Sequence, residues 1–241
     1  YLATKTFADS PSQKEFLVSE GVVNKDKIKV LGPGSISGVD LERFSQNPAF
    51  REKIRHKYNI KKDTVVFLLL CRLTRDKGTL DLAHAFSRAV QELDCCLLIV
   101  GPDEENLTST VMEIVGKKNE AKVYFHGYTD CHEEFLNAAD ILFLPSYREG
   151  FGSIIIDAAG VGIPTIGSDI YGISDAIDNG RTGILHKAGD IDEIYKSMLK
   201  LATNSNLRKS MGDAAKIRAH ENYSMEKITK AWADEYNLTL G

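Results

Sequence analysis

The chain has 241 residues, 43% of them hydrophobic and 27% charged, with a formal net charge of −4. That is the composition of a globular chain forming one large domain, or one and a part. It has no long basic run to track nucleic acid and no stretch of about 18 apolar residues to cross a membrane, and a signal peptide is not expected.

The first predicted elements are a strand, a helix and a strand. Ser10 caps the helix, Pro11 takes its first position and Gln13 stands three residues after the cap. Phe16, Leu17 and Val18 supply an apolar face, and Gly21 ends the helix. Residues 28–30 are a short extended run and 32–40 a loop. So short a unit cannot bury a core of its own and must dock elsewhere. Asn47 and Pro48 open another helix, in which Phe50, Ile54 and Tyr58 recur every four residues.

From there the pattern is regular. Apolar strands at 65–71, 95–100, 122–126, 140–145, 164–168 and 183–186 alternate with helices at 79–92, 107–115, 132–138, 153–160 and about 173–178. Helices at 191–203 and 207–221 follow. The strands are continuous apolar runs, which marks a parallel sheet covered on both faces. The expected fold class is therefore α/β, a Rossmann-like doubly wound parallel sheet. The last segment, 224–240, starts at Ser224 and carries Met225, Ile228, Trp232 and Tyr236 on one helical face. The first residue is Tyr1 rather than Met, so the chain is expected to start part-way through a longer product.

Cys71, Cys95 and Cys96 sit in or beside apolar runs and read as small hydrophobes; Cys131 adjoins His132 at a spacing poor for metal binding. A reducing, cytoplasmic setting fits them.

Ligands of a doubly wound sheet bind at the carboxyl ends of its strands. Four loops there are unusual. After the strand at 65–71, Arg72, Arg75 and Lys77 crowd a helix start that favours anions, and a phosphate between them would relieve the conflict. A solvated basic turn with Asp76 as counter-ion fits equally. After 140–145, Gly150 and Gly152 flank Phe151 and let backbone approach a ligand, Ser153 opens a helix with free amides, and Glu149 can accept from hydroxyls. Asp157 lies one turn inside that helix between apolar neighbours, as a ligand-binding or a buried, satisfied carboxylate. Residues 127–130, including Tyr128, could line a base or sugar pocket or form a polar turn. Residues 169–175 could form a rim.

The stretch Glu149-Gly-Phe-Gly-Ser-Ile-Ile-Ile-Asp157-Ala-Ala-Gly-Val-Gly-Ile-Pro164 resembles the E-x7-E region of the retaining, GT-B-fold glycosyltransferases of family 4. Cys71-Arg72-Leu-Thr-Arg-Asp-Lys77-Gly78 resembles their G-R-L…K-G segment. Phe125-His-Gly127-Tyr128, Ala138-Ala-Asp140-Ile-Leu-Phe-Leu-Pro145-Ser146 and Asp178-Asn-Gly180-Arg-Thr-Gly183 also match, in the family's order from about Phe7 to Tyr223. Gly34-Ser-Ile-Ser-Gly38-Val-Asp40-Leu-Glu-Arg-Phe44 resembles the members that build bacterial capsular and O-antigen polysaccharides. Two positions depart from the pattern: the second acid is Asp157, one methylene shorter, and Cys71 replaces a common Gly.

The resemblance implies a hexosyltransferase whose donor is a nucleotide sugar, most simply a UDP-sugar, and whose acceptor is a glycan or a lipid-linked glycan. It implies that Arg72 and Lys77 hold the diphosphate and that Glu149 binds hydroxyls of the transferred sugar. Amides of Phe151, Gly152 and Ser153, beside Gly150, would cradle phosphate oxygens. Asp157 would bind the ribose, and backbone near Tyr128 would meet the base. No cofactor and no metal are expected: Asp190-Ile-Asp192 spells a metal motif but stands where a helix cap is needed. The implied organisation is a remnant of an acceptor domain and linker over 1–45, a donor-binding domain over 46–222, and a helix over 223–241 crossing back. Such a piece is expected to be inactive alone, with room for peripheral association at the inner face of a cell membrane. Of the rival readings, a nicotinamide dehydrogenase fails on the spacing of Gly32, Gly34 and Gly38. A glycosidase using Glu149 and Asp157 leaves the phosphate-type loops without purpose. A non-catalytic binding module and a nucleotide-sugar isomerase of the same fold remain open.

Overall fold

The computed structural model describes residues 3 and 5–240, with only the backbone of Thr239 and Leu240. The chain opens with β1 (Thr6–Phe7), α1 (Pro11–Ser19) and β2 (Ile28–Lys29), the two strands pairing in parallel. Helix α2 (Pro48–Lys57) leads into β3 (Val65–Leu70), α3 (Thr79–Ala89), β4 (Cys95–Val100), α4 (Thr108–Val115), β5 (Val123–His126), α5 (His132–Ala138) and β6 (Ile141–Leu144). Then come α6 (Ser153–Val161), β7 (Thr165–Ser168), α7 (Ile173–Ala176), β8 (Gly183–His186), α8 (Ile191–Ala202), α9 (Ser205–Asn222) and α10 (Met225–Leu240).

Strands β3 to β8 form one parallel sheet in the order β5-β4-β3-β6-β7-β8. The apolar runs explain its two cores. Phe67, Leu69, Leu97, Ile99 and Phe143 face one way, onto Leu82 and Phe86 of α3 and Ile194 and Met198 of α8. Leu68, Leu98 and Leu142 face the other, onto Leu136 of α5 and Ile155 of α6. Cys95 and Cys96 lie one in each core, where burial pushes both thiols up to about 12, as their reading as small hydrophobes requires. The strand order reverses between β3 and β6, paired through Phe67 with Ile141, Leu68 with Leu142 and Leu69 with Phe143. This reversal opens a crevice at the carboxyl ends of those two strands.

Asp140, expected as the first strand residue, stands just before β6 as an ionic node. Its carboxylate meets Arg51 and Arg55 of α2, each at 2.7 Å, and accepts the amide of Val66 at 2.8 Å. Arg55 is 7% exposed in its side chain and also donates to the carbonyls of Lys61, Thr64 and Ala138. Burial lowers its pKa while Asp140 pulls the other way. The node fastens α2 to the amino ends of the two central strands, β3 and β6.

The amino-terminal unit docks on the rest of the chain. Ser12 donates from both its amide and its hydroxyl to Asp175, at 2.9 and 2.5 Å. Lys5 and Lys29 share Glu235 of α10 at 3.0 and 3.1 Å, and Phe7 packs on Trp232 at 4.8 Å between ring centroids. The polypeptide crosses between this unit and the sheet twice, side by side: Val39 accepts from Met225 at 2.9 Å and donates to Tyr223 at 2.7 Å. Two expected apolar faces need correction. No residue of α1 is buried, and Phe16 lies open, stacked on Tyr171 at 4.5 Å. On α10, Ile228 is buried but Met225 and Tyr236 are exposed, because the thin two-stranded unit covers only part of the stripe.

Removing Asp140 strands a buried guanidinium. Asp140→Ala is expected to cost about 3–5 kcal/mol of unfolding free energy, read from urea denaturation. A loss under about 1 kcal/mol would show that Arg55 finds other compensation.

Candidate functional site

The first and second loops meet at the crevice. Gly78 has φ +67°, and a side chain there would run into the carbonyl oxygen of Pro145. This lets the turn after β3 press against the turn after β6, where the Tyr147 amide donates to the Asp76 carbonyl at 2.8 Å. Across the contact, Lys77 Nζ meets Glu149 Oε1 at 2.5 Å, with side chains 14% and 16% exposed. Ser146 Oγ donates to the same oxygen at 3.2 Å. Arg72 pairs with Glu104 at 2.8 Å, and Arg75 lies 3.6 Å from Glu105, both acids following β4. The crowded cations are thus already neutralised by carboxylates. Asp76, expected as counter-ion within the turn, accepts from the Thr74 hydroxyl, which with Lys77, Arg148 at 4.0 Å and Arg72 holds its carboxyl below the usual value. Sequence spacing could not show this, since the partners lie about 30 and 70 residues away, on strands whose neighbourhood only the sheet order fixes.

The second loop is held from behind. Phe151 is buried, with its ring 5.3 Å from that of Tyr223 and a Cβ on Gly34 reaching within 3.1 Å of it. The side chain anchors the loop and leaves its backbone free. Gly152 has φ +78° and starts α6 with no side-chain cap. Among the described residues, the amides of Phe151, Gly152 and Ser153 find no acceptor. Gly172 of the fourth loop sits where a Cβ would lie 2.7 and 2.6 Å from the carbonyl oxygens of Glu149 and Gly150. That loop, read as a rim, is a support, and its Asp175 is spent on Ser12.

Asp157 has no hydrogen-bond partner among the described residues. Burial pushes its carboxyl up to about 7, against the opposite pull of Arg43. It is therefore neither the satisfied carboxylate of the bland reading nor an ordinary surface acid. Arg43 was not singled out from the sequence. Asp40 fixes its turn by accepting the amides of Glu42 and Arg43 at 3.0 and 3.1 Å. From there Arg43 reaches Glu133 at 2.8 Å and the Asp130 carbonyl, tying the 32–45 connection to the third loop. The signal was an Asx turn three residues before an Arg. Tyr128 of that third loop is 71% exposed, with its hydroxyl on the Asp130 carboxylate.

Asp190 caps α8 by accepting the Glu193 amide at 2.9 Å, as expected, and Asp192 pairs with Arg88. Among the described residues no group of three His, Cys, Asp or Glu side chains converges. A separate open cleft of about 320 Å³ lies at the amino ends of β6 and β7, lined by Arg51, Asp140 and Arg208 among others. Its arginines are engaged, Arg51 by Asp140 and Arg208 by the carbonyls of Leu201 and Ala202. Among the described residues, the open amides at the start of α6 and the unpartnered Asp157 lie beside the strand reversal, whereas the buried side-chain atoms without a partner, Ser168 Oγ, His186 Nε2 and Arg218 Nε, lie towards β7, β8 and α9.

Residues 50–218 match the family model described as glycosyl transferases group 1. The chain belongs to that family. This group 1 glycosyl transferase is 27% identical over 242 residues to the capsular polysaccharide biosynthesis glycosyltransferase CapM of Staphylococcus aureus, covering 100% of this chain and 63% of that protein. The structure of HepE from Anabaena in complex with UDP and glucose superimposes with a TM-score of 0.86 at 19% identity, covering 97% of this chain and 63% of that one. The C-terminal domain of the group 1 protein LpcC from Francisella tularensis superimposes with a TM-score of 0.67 at 19% identity, over 78% of this chain and 99% of that domain. The match spans 63%, 48% and 56% of the length of three curated relatives. The Rossmann-like sheet expected from the alternation is thus that of the C-terminal domain of GT-B glycosyltransferases.

An acid whose pKa is raised by folding contributes stability that is complete below its unfolded pKa and lost as pH rises through the folded one. For Asp157 of this glycosyl transferase the window runs from the usual 3.8 to about 7. Asp157→Asn is expected to gain stability over the unsubstituted protein progressively across that window, with a constant gap above it. Urea midpoints of both proteins, measured from about pH 5 to about pH 8, check this; a gap independent of pH would contradict it.

Proposed function

We propose that this chain is the donor-binding part of a retaining glycosyltransferase, a hexosyltransferase that moves a sugar from a nucleotide sugar to a glycan or lipid-linked acceptor in bacterial surface polysaccharide synthesis. Residues 46–222 are the donor domain, 1–45 belong to the acceptor side and linker, and 223–241 cross back. The carrying observation is the set of unsatisfied groups around the Lys77–Glu149 pair. Open amides at the start of α6 and the unpartnered Asp157 flank a cation and a carboxylate that shield each other. A nucleotide sugar supplies a partner to each. Its diphosphate takes Lys77, Arg72 and the amides of Phe151, Gly152 and Ser153. Its hexose hydroxyls take the released Glu149, its ribose takes Asp157, and its base lies by the backbone at Tyr128. The name of the CapM relative and the UDP and glucose bound to HepE support the reading.

The chemistry follows from charge. As the bond to the sugar breaks, negative charge grows on the departing diphosphate, and Lys77, Arg72 and the oriented amides stabilise it where it grows. Those donors serve the function a metal would serve beside the diphosphate, so the reading includes no metal requirement. The site works on a cytoplasmic donor, and the acceptor is met by the amino-terminal side of the crevice.

Calorimetric titration with UDP, GDP, ADP and their common hexose derivatives tests the proposal, and binding of at least one nucleotide sugar, unchanged by excess chelator, is the expected result. No binding, or binding that requires added metal, overturns the corresponding part. Hydrogen bonds from ribose favour the ionised carboxylate. Binding near pH 7 should therefore release a proton from Asp157, visible as a dependence of binding heat on buffer ionisation enthalpy and absent in Asp157→Asn. In the full-length enzyme at saturating donor, Lys77→Ala should lower kcat on the order of 10²-fold. Arg72→Lys should not restore a bidentate contact. If both variants raise KM alone, the cations position the donor without stabilising the leaving group.

A further inference from the structure

The mechanism leaves one feature of the crevice unused. Gly150, beside the hexose-binding Glu149, faces the amino-terminal unit. A side chain at Gly150 would collide with Asp9 Oδ2, and its Cβ would lie 3.2 Å from Gln13 Nε2. Both side chains are set by the cap of α1. Ser10 Oγ accepts the Gln13 amide at 3.2 Å, while Gln13 Oε1 accepts the Asp9 amide at 2.8 Å. This reciprocal box commits the oxygen of the Gln13 side chain to the backbone and turns its NH₂ group toward Gly150. Among the described residues neither the Asp9 carboxylate nor Gln13 Nε2 has a partner. Burial raises the Asp9 carboxyl, with no nearby cation to offset it.

Two half-buried groups, one accepting and one donating, thus stand at one point beside a glycine that leaves room for them. A sugar hydroxyl is both donor and acceptor and satisfies the pair at once. A cation would be repelled by the NH₂ group, and a phosphate by the carboxylate. Glu149 is the next residue along the loop, so the hydroxyl in question is on the transferred sugar rather than on the nucleotide.

We infer that Asp9 and Gln13 form a hydroxyl-binding pair that reads the transferred hexose of the nucleotide sugar from the side opposite Glu149. This rests on the proposed donor site. It assigns sugar recognition partly to the amino-terminal unit, and makes Gly150 small because this pair must reach past it.

The test compares nucleotide with nucleotide sugar on the same chain. Asp9→Asn keeps the shape of the side chain but removes the charged acceptor. Gln13→Glu keeps the capping box but removes the donor. The nucleotide and nucleotide-sugar pair that the unsubstituted chain binds best among the UDP, GDP and ADP series serves as the probe. Each variant is expected to weaken the nucleotide sugar by about tenfold and to leave the nucleoside diphosphate unchanged. Thermal denaturation in parallel confirms that the variants fold. Equal losses for both ligands would show a structural clamp on Gly150, and unchanged affinity for both would show no contact with the donor; either overturns the inference. Failure of the unsubstituted chain to bind any nucleotide overturns the donor site itself, a result distinct from the other two.

Discussion

The close approach of Gly78 to the carbonyl of Pro145 is the constraint on which the site depends. Two adjacent parallel strands leave their carboxyl-end turns about one strand spacing apart, and any side chain at Gly78 would force those turns apart. With glycine there, Lys77 and Glu149 fall within ion-pair distance although 71 residues of chain separate them. The left-handed φ of Gly78 also ends the short turn after β3 and starts α3 in a new direction, which clears the mouth of the crevice.

The sheet was legible in the sequence because its strands are buried on both faces. Runs such as Val65 to Leu70 have no polar residue to disturb them, and helices such as α3 and α8 carry one apolar stripe each. Strand ends shifted at Cys71, Lys122, Asp140, Pro145 and Pro164, where the residue still looks like a strand but the ladder has stopped. The strand order was not legible, since a continuous apolar run does not name its neighbour. The same limit hid the partners of Arg72, Arg75 and Lys77. The faces of α1 and α10 misled for a different reason: an apolar stripe predicts burial only where something broad enough covers it, and here the cover is a two-stranded ribbon.

Two ion pairs in the molecule use the same chemistry to opposite ends. Arg55 is buried and its Nε and Nη1 donors go to carbonyls, while Asp140 is also held by Arg51 and the Val66 amide, so the pair has little to exchange. Lys77 and Glu149 stand beside open amides and an unsatisfied acid, and each keeps unused hydrogen-bonding capacity. Inorganic phosphate could take Lys77 only by leaving Glu149 with the Ser146 hydroxyl and no cation. On the proposed function, a ligand that joins phosphate to a polyol would exchange both at once, so the pair would discriminate against simple anions before any shape is read.

The side-by-side crossing at Val39 has a mechanical consequence. A single covalent connection between two bodies leaves rotation about three axes. Two connections hydrogen-bonded to each other, as those at Val39 and at Tyr223 to Met225 are, leave only bending about the line that joins them. The amino-terminal ribbon and α10, pinned together by Glu235 and Trp232, are therefore joined to the sheet by a seam that resists twisting, as two hinge pins on one line do. Bending there is opposed across the crevice by Ser12, which bonds Asp175 and accepts the Gly172 amide, and by Phe16 stacked on Tyr171, so the same contacts that seat the ribbon set the distance of Asp9 from Gly150.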